Sequence, residues 1–461
     1  MENKTYNNLK KNTLLIAISN IGSKAISFIL APLYSFFLTT SEYGQMDIIV
    51  TTVSLLLPFV CFDIFEASFR YSSETSYSKK TVLSTTFMVC ILESIVICIA
   101  CAIIALFIHI PEIIVICIIS AILDAIYQVL IQFVRGSGRV LDFAIAGGIS
   151  SVSLLLLNIC FMVILSMGFK GWLISFIGAK IIVIVFSAYK AKVFQCLRIR
   201  YINISFLKEA IRFCVPLIPS ASMWWIMNAS DRYVIALYCG ISATGIYAVA
   251  NKLPSILSIL ENVFYQAWQS TALETFNDNK RDSIYSEVFF KYFKFLTIGV
   301  LAILVILKPM ILGLFSKEYN AAWICAPILV IGVMIHALAG NLGTLYTVFK
   351  NTTGALKTTI IGALTNIILN LIFVYKYGYN AAAFTTVIGY ILVLYIRWKD
   401  ISKFVKLKIN KCDFVLSFFV LLIQLLLYYV DSNIALGLRF IIFVIYVIYN
   451  RDIVIGLFYK K

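Results

Sequence analysis

The stretch TVLSTTFMVCILESIVICIACAIIALFI, residues 81–108, contains a single charged side chain, that of Glu93. A helix of about 20 apolar residues spans the hydrocarbon core of a bilayer, and this stretch is longer than that. Similar runs occupy residues 14–38 and 411–429. A transmembrane β-barrel would instead show segments of about 10 residues with alternating apolar and polar side chains. The sequence therefore predicts an all-α integral membrane protein with many spans.

The composition of the chain agrees with this class. Hydrophobic residues make up 61% of the 461 residues and charged residues only 13%, whereas soluble domains are about one quarter charged. The formal net charge of +16 would suggest nucleic acid in a soluble protein, but basic residues of membrane proteins concentrate in cytoplasmic loops. We therefore expect no nucleic-acid partner. The C-x-x-C formed by Cys98 and Cys101 lies within an apolar run, and we interpret these cysteines as small core residues.

The distribution of lysine and arginine predicts the topology. With a cytoplasmic N-terminus, 28 of the 38 basic residues fall in cytoplasmic segments and 4 in outside loops. This asymmetry predicts that both termini are cytoplasmic and that the number of spans is even. We expect the first span to be retained rather than cleaved as a signal peptide. The apolar runs predict fourteen spans, at residues 12–38, 46–68, 81–108, 112–134, 141–165, 171–189, 209–238, 244–270, 285–307, 321–349, 358–375, 380–397, 412–429 and 433–450.

A weak internal repeat predicts how the spans are grouped. TTSEYGQMDI (residues 39–48) joins the first two spans, and GISATGIYAV (residues 240–249) joins the seventh and eighth. Both are tight turns that contain glycine, and internal duplication of this kind is common in transporters. We therefore predict two six-span lobes and two further helices. Their predicted bounds are residues 1–189 for the N-terminal lobe, 190–208 for a basic cytoplasmic linker, 209–400 for the C-terminal lobe, and 401–461 for spans 13 and 14 with a short tail.

The sequence lacks the motifs of ATP hydrolysis and of common hydrolases. It contains no GxxxxGK[ST], no HExxH and no GxSxG. The two histidines, His109 and His336, have no neighbours at metal-ligand spacing. We expect no cofactor, no metal and no enzymatic activity, and we expect an ion gradient to supply the energy for any transport.

Ionisable side chains interrupt several predicted spans. Each costs at least about 2.5 kcal/mol at bilayer depth unless it faces water or an opposite charge. Arg439 is close enough to the outer surface that we expect it to snorkel, and Asp231 either marks the outer end of span 7 or pairs with a neighbour. The deep residues that we expect in a cavity or a buried ion pair are Lys24, Glu93, Asp124, Lys180, Lys252 and Glu261.

A stripe of polar side chains follows the eighth span. At 100° per residue, one narrow face carries Tyr247, Asn251, Ser255, Ser258, Asn262, Tyr265, Gln266 and Gln269. Lys252 and Glu261 lie at its margins. Such a stripe serves either hydrogen bonds between packed helices or the wall of an aqueous cavity, and the unlike charges at its margins favour the cavity. Pro216 and Pro219 in the seventh span predict a bent helix beside it.

Three stretches resemble one family of membrane proteins. PLIPSASMWWIMNASDRYVIALYCGISATGIYAVANKLPSIL (residues 216–257) resembles the signature region of the bacterial polysaccharide flippases, which belong to the multidrug/oligosaccharidyl-lipid/polysaccharide exporter superfamily. Residues 31–74, with S-E-Y-G and R-Y, resemble the opening hairpin of that family. Residues 364–390 resemble its hairpin of spans 11 and 12, although Tyr375 stands where a proline is common.

The resemblance implies a fold and a function. Two lobes would form a V-shaped arrangement around a cationic cavity, which carries polyprenyl-pyrophosphate-linked oligosaccharide repeat units from the inner to the outer leaflet by ion-coupled alternating access. Lys24 and Lys252 correspond to basic positions of that cavity, and Arg70 is the arginine of R-Y. Together with the polar stripe, the expected substrate-binding residues are Lys24, Arg70, Asn251, Lys252, Ser255 and Asn262. The acidic residues depart from a purely cationic cavity, which makes Glu93, Asp124, Asp231 and Glu261 candidates for ion coupling.

Other functions remain open at this point. A multidrug or cation antiporter of the same superfamily usually has twelve spans and an acidic site, so the lysines and the two extra spans disfavour it. A flippase for the peptidoglycan lipid precursor would be richer in arginine. A polymerase or ligase would need a larger outside loop than residues 308–320 provide. For the polysaccharide flippase we expect the bacterial cytoplasmic membrane as location, O-antigen or capsule synthesis as pathway, and a polysaccharide polymerase and chain-length regulator as partners.

Overall fold

The protein is helical throughout the part that the computed structural model describes. That part comprises residues 22–74, 76–276, 278–349, 351–408 and 410–453, and no strand occurs in these ranges. The prediction of an all-α fold is therefore confirmed. In chain order the helices are α1 (residues 22–37), α2 (Thr40–Val60), α3 (Ile64–Ser73), α4 (Lys79–Phe107), α5 (Glu112–Gly136), α6 (Val140–Asn158), α7 (Gly168–Ala191), α8 (Val193–Cys196), α9 (Ile204–Cys214), α10 (Leu217–Cys239), α11 (Ile241–Ala250), α12 (Pro254–Glu274), α13 (Arg281–Leu314), α14 (Ala326–Val348), α15 (Thr352–Tyr377), α16 (Tyr379–Ile401), α17 (Lys411–Tyr428) and α18 (Asn433–Tyr449).

Many of these helices are long and apolar enough to cross a membrane. Within the described residues ten helices meet that condition, and α9 with α10 would add an eleventh as one broken span. Two shorter apolar helices, α11 and α18, accompany them. The chain is thus a multi-pass membrane protein. The count of fourteen spans stays a prediction, and the first predicted span lies partly outside the described residues.

Three of the predicted spans are each divided into two helices. Span 2 breaks between α2 and α3, where Phe62 and Asp63 adopt left-handed φ angles of 43° and 53°. Span 7 breaks at residues 215–216, where Pro216 lacks the amide hydrogen that a continuous helix needs. Span 8 breaks at residues 251–253, just before Pro254 at the start of α12. Pro254 is the first residue of α12, a position that suits proline because the first turn of a helix makes no use of the missing amide hydrogen.

The chain divides into two compact units. The first comprises Met1–Leu38 and Gln45–Trp225, and the second comprises Thr39–Gly44 and Ile226–Lys461. In the first unit α5 packs against α3, α4 and α7, and α6 packs against α7. In the second unit α14 packs against α12, α13 and α16, while α17 and α18 pack against α13. These two units have different bounds from the lobes that the sequence predicts. The lobes therefore stay a prediction.

A reciprocal contact between two glycines joins the start of α2 to α11 inside the second unit. A Cβ atom on Gly44 would lie 2.1 Å from the carbonyl oxygen of Ile241, and one on Gly245 would lie 2.0 Å from that of Thr40. Gly44 thus contacts the residue four positions before Gly245, and Gly245 contacts the residue four positions before Gly44. The two turns that the sequence pairs as a repeat therefore cross each other symmetrically, and only glycine permits this approach.

We expect Gly44→Ala to destabilise the protein by about 1–3 kcal/mol, since the added methyl group would overlap the backbone of α11. Gly148→Ala is the matched control because a Cβ atom at Gly148 meets nothing within 4 Å. Thermal unfolding of the purified protein in detergent would compare the two variants. Equal melting temperatures for Gly44→Ala and Gly148→Ala would contradict the tight crossing.

Candidate functional site

The polar face of α12 remains on the surface of the second unit. The side chains of Ser255, Asn262 and Tyr265 are exposed, and those of Ser258 and Gln269 are half-buried. Asn262 donates from Nδ2 to the carbonyl oxygen of Ser258 at 2.8 Å, so the side chain is held by its own helix. A row of amide and hydroxyl groups on an exposed helix face suits hydrogen bonds to a polar ligand.

Tyr247, at the N-terminal end of the predicted stripe, does not lie on this face. Tyr247 is completely buried, and its hydroxyl donates to Oδ2 of Asp231 at 2.5 Å. The chain is interrupted at residues 251–253, so Tyr247 lies on α11 and the exposed polar side chains lie on α12. The stripe is therefore shorter than predicted and is confined to the break and α12.

Lys252 lies in the turn between α11 and α12 and is half-buried. The positive end of the α12 dipole is at the same place. The first amides of α12 are already engaged, since Ser255 N donates to Asn251 O and Ile256 N donates to Leu253 O. The attraction for an anion at this turn therefore comes from the Lys252 ammonium group, with a smaller contribution from the dipole.

The two basic candidates of the first unit differ in their surroundings. Lys24 on α1 is exposed, and it forms no ion pair with another residue of the described chain. Arg70 on α3 is also exposed, but its Nε lies 3.2 Å from Oε1 of Glu74, and its guanidinium group stacks on Phe213 at 4.6 Å. Lys24 is thus the more available of the two cations for an anionic ligand.

A carboxylate–imidazole pair lies between α12 and α14. Oε1 of Glu261 is 2.9 Å from Nδ1 of His336, and the two side chains are only 14% and 19% exposed. The His336 ring also packs against Tyr390 at 4.9 Å, and Tyr390 donates to Oδ1 of Asn228 at 3.0 Å. The contact brings two ionisable groups from adjacent helices within hydrogen-bonding distance of each other. Residues on separate helices carry no shared pattern, so the sequence did not connect Glu261 to His336.

Asp231 is paired within the second unit. Its side chain is 8% exposed, and Oδ1 lies 3.1 Å from Nη1 of Arg232. Together with the hydrogen bond from Tyr247, these contacts hold the carboxylate in place. Of the two interpretations that the sequence left open, the structure shows Asp231 paired with neighbours.

Of the two acidic candidates in the first unit, one forms an ion pair with another described residue and one does not. Asp124 on α5 forms an ion pair with Lys180 on α7. Glu93 on α4 is half-buried, and its Oε2 has no hydrogen-bond partner among the described residues. An unpartnered buried carboxylate oxygen is costly, which makes Glu93 the candidate in this unit with most to gain from a proton.

Sequence reasoning missed a buried polar network between α15 and α16. Asn370 donates to Asn366 at 3.0 Å, Asn366 donates to Thr386 at 3.1 Å, and Thr385 donates to Asn370 at 2.5 Å. All four side chains are buried. The sequence does contain a signal for this network, because Asn366 and Asn370 lie four residues apart on an apolar helix and therefore share one face.

Arg397, the last residue of predicted span 12, is buried in the second unit. Its side chain is 3% exposed and donates to the carbonyl oxygen of Ala339 at 2.7 Å and to Thr358 and Thr359 at 3.1 and 3.0 Å. These contacts tie α16 to α14 and α15. A long side chain near the end of a span can turn inward as well as outward, and the sequence does not distinguish the two.

The fold is similar to the folds of several solved membrane proteins. It is similar to the lipid II flippase MurJ in an inward-closed conformation, with a TM-score of 0.71 and 15% identity over 96% of this chain and 100% of that one. It is also similar to an outward-facing multidrug resistance MATE transporter of the MOP superfamily (TM-score 0.59, 14% identity, 86% and 96% of the two chains). A MOP superfamily transporter from Pyrococcus furiosus gives a TM-score of 0.58 at 14% identity over 85% and 94%. The chain thus has the fold of MOP superfamily transporters.

The family follows from the sequence match. The family model described as "Polysaccharide biosynthesis protein" matches residues 9–269, more than half of the chain. The chain belongs to this family, and the resemblance seen in residues 216–257 is confirmed. No curated protein matches the chain.

The Asp124–Lys180 pair generates a prediction about stability. Lys180→Met leaves a carboxylate without its partner and should destabilise the first unit by about 3–5 kcal/mol, whereas adding Asp124→Asn should restore most of the loss. Thermal unfolding in detergent would measure both. Lys291→Met is the control, since Lys291 and Glu287 form an exposed pair whose loss costs little. A double variant as unstable as Lys180→Met would contradict the pairing.

Proposed function

We propose that the protein is a flippase that moves polyprenyl-pyrophosphate-linked oligosaccharide repeat units from the inner to the outer leaflet of the bacterial cytoplasmic membrane. Membership of the polysaccharide biosynthesis family over residues 9–269 is the observation that carries this proposal. The product would be a surface polysaccharide such as O-antigen or capsule. A polysaccharide polymerase and a chain-length regulator would be its partner proteins.

Different substrate-binding residues would contact different chemical parts of the substrate. Lys252 in the second unit would attract the pyrophosphate, since ammonium groups bind phosphate as point charges. Lys24 in the first unit is a separate candidate with the same chemistry. The exposed face of α12 would bind the sugars, because Ser255 and Asn262 offer donors and acceptors about two helical turns apart. Hydroxyl-rich ligands need many weak hydrogen bonds rather than one strong contact, which supports a row of small polar side chains.

A groove in the second unit supports a place for the prenyl tail. It lies among α13, α14, α16 and α17, has a volume of about 570 Å³, and is lined by aliphatic and aromatic side chains. Phe293, Leu338, Trp398 and Phe418 are among them. A hydrocarbon chain fits this lining.

Energy would come from an ion gradient, because the sequence has no ATP-binding motif. Glu261 is the coupling candidate that we favour, since its largely buried carboxylate contacts a second ionisable side chain, that of His336, on the neighbouring helix. Protonation would shift the balance between inward-open and outward-open states by its differential affinity for the two. The substrate is moved and not chemically changed, so the proposed activity is transport and not catalysis.

One alternative is supported by a specific observation. The similarity to the lipid II flippase MurJ favours the peptidoglycan lipid precursor as substrate, which shares the polyprenyl-pyrophosphate chemistry. Loss of a peptidoglycan flippase should be lethal, whereas loss of a polysaccharide flippase should leave viable cells without the surface polymer. Viability of a deletion strain therefore separates the two.

We predict that Lys252→Ala abolishes most surface polysaccharide in a deletion strain complemented with the variant, while lipid-linked repeat units accumulate on the inner leaflet. Lys252→Arg should restore much of the activity because it restores the charge. Lys317→Ala is the matched control, since Lys317 is an exposed lysine at the start of a 3₁₀ segment away from the polar face. Full polysaccharide production with Lys252→Ala, at normal protein levels, would remove Lys252 from the site.

We predict that Glu261→Gln uncouples transport from the gradient. The glutamine keeps the shape of the side chain but cannot titrate, so a reconstituted variant should still exchange substrate between leaflets without accumulating it against a gradient. His336→Gln should weaken accumulation as well, because it changes the side chain that contacts the Glu261 carboxylate. Gradient-driven accumulation at the wild-type level in Glu261→Gln would exclude Glu261 as the coupling residue.

A further inference from the structure

A second cationic site lies in the second unit, away from the polar face of α12. Lys308 on α13 and Arg439 on α18 line a pocket of about 320 Å³ together with Asp431, Ser432 and Asn433. Lys308 and Arg439 are only 8% and 3% exposed. On the predicted topology this pocket lies on the outer side of the membrane.

Arg439 does not snorkel outward as expected from the sequence. Its Nη1 donates to the carbonyl oxygen of Leu304 at 3.2 Å, and its Nε has no hydrogen-bond partner among the described residues. The guanidinium group also lies 5.4 Å from the ring of Tyr428. A buried donor without an acceptor is unfavourable, so an anionic oxygen in the pocket would improve the hydrogen bonding of this side chain.

Lys308 contacts the ring of Trp323 and an exposed carboxylate, that of Asp431, which a ligand can displace. Its ammonium nitrogen lies 4.1 Å from the centre of the Trp323 ring and 3.1 Å from Oδ1 of Asp431. The Asp431 side chain is 91% exposed, and ion pairs to exposed partners are weak. A phosphate could therefore replace Asp431 at Lys308 with little loss.

The pocket opens into an apolar groove. The groove has a volume of about 810 Å³, and Pro309, Asn433 and Leu436 line both cavities. Its other lining residues include Ile306, Met310, Gly437 and Phe440. A cationic pocket continuous with an apolar groove on two apolar helices has the two parts that a membrane lipid requires.

We propose that this site binds an anionic phospholipid, with the phosphate at Lys308 and Arg439 and an acyl chain along the groove between α13 and α18. Two cations and one carboxylate leave a formal charge of +1 in the pocket, which favours a lipid with net negative charge. The start of α18, capped by the hydroxyl of Ser432, adds the positive end of a helix dipole. The site is independent of the substrate assignment above.

Native mass spectrometry of the full-length protein, titrated with phosphatidylglycerol or phosphatidylcholine, tests this proposal. Wild-type protein should bind phosphatidylglycerol more tightly. Lys308→Gln should weaken that binding about fivefold, and Asp431→Asn should strengthen it by a similar factor. Lys317→Gln, at an exposed lysine outside the pocket, should leave it unchanged.

A groove-filling variant tests the acyl chain separately. Gly437 is exposed on α18, and a Cβ atom there meets nothing within 4 Å, so Gly437→Leu should occupy the groove without disturbing the helix. It should weaken binding of both lipids. Equal affinities for the two lipids with no effect of Lys308→Gln or Asp431→Asn would overturn the proposal. Displacement of phosphatidylglycerol by inorganic phosphate alone would also overturn it, because the site would then bind the free anion and not a lipid.

Discussion

The cost of placing charge inside a hydrocarbon core governs this structure. An ionisable side chain at bilayer depth must be paired, hydrogen-bonded or turned toward water, and the described residues show each of these solutions. Asp124 pairs with Lys180, Asp231 is held by Tyr247 and Arg232, and Glu261 pairs with His336. Arg397 is satisfied by one carbonyl and two hydroxyl groups. The residues left without such a partner, Lys24 above all, are the ones for which a ligand or water is the remaining solution.

This constraint separates what the sequence predicts from what it does not. Apolar runs of bilayer length identify the helices and the class of protein, because hydrocarbon thickness sets the length of each run. Deep charges are visible in the same way, as interruptions of those runs. Their partners are not visible, since Glu261 and His336 lie on separate helices and contact each other only through packing. Arg397 and Arg439 show the same limit, because the direction in which a long side chain turns is decided by acceptors on neighbouring helices.

The helix breaks mark a second limit. Pro254 in the sequence indicates an irregular position, but a proline can bend a helix or begin a new one. In span 8 it begins α12, which places Tyr247 in the core and leaves Ser255 and Asn262 on the surface. The polar face is thus a property of α12 alone. The glycines of the two repeated turns were recognised in the sequence, yet the reciprocal contact of Gly44 with Gly245 required the structure.

The central claim is that a cation beside a polar helix face serves the passage of a lipid-linked, anionic sugar across the bilayer. It is tested most directly by reconstituting the purified protein in liposomes that carry a fluorescent polyprenyl-pyrophosphate-linked oligosaccharide in one leaflet. A reagent that cannot cross the membrane then reports how much of the lipid has reached the other leaflet under an imposed ion gradient. We expect transfer of the labelled lipid between the leaflets that requires both the protein and the gradient. Transfer no faster than in protein-free liposomes, with correctly folded protein present, would contradict it.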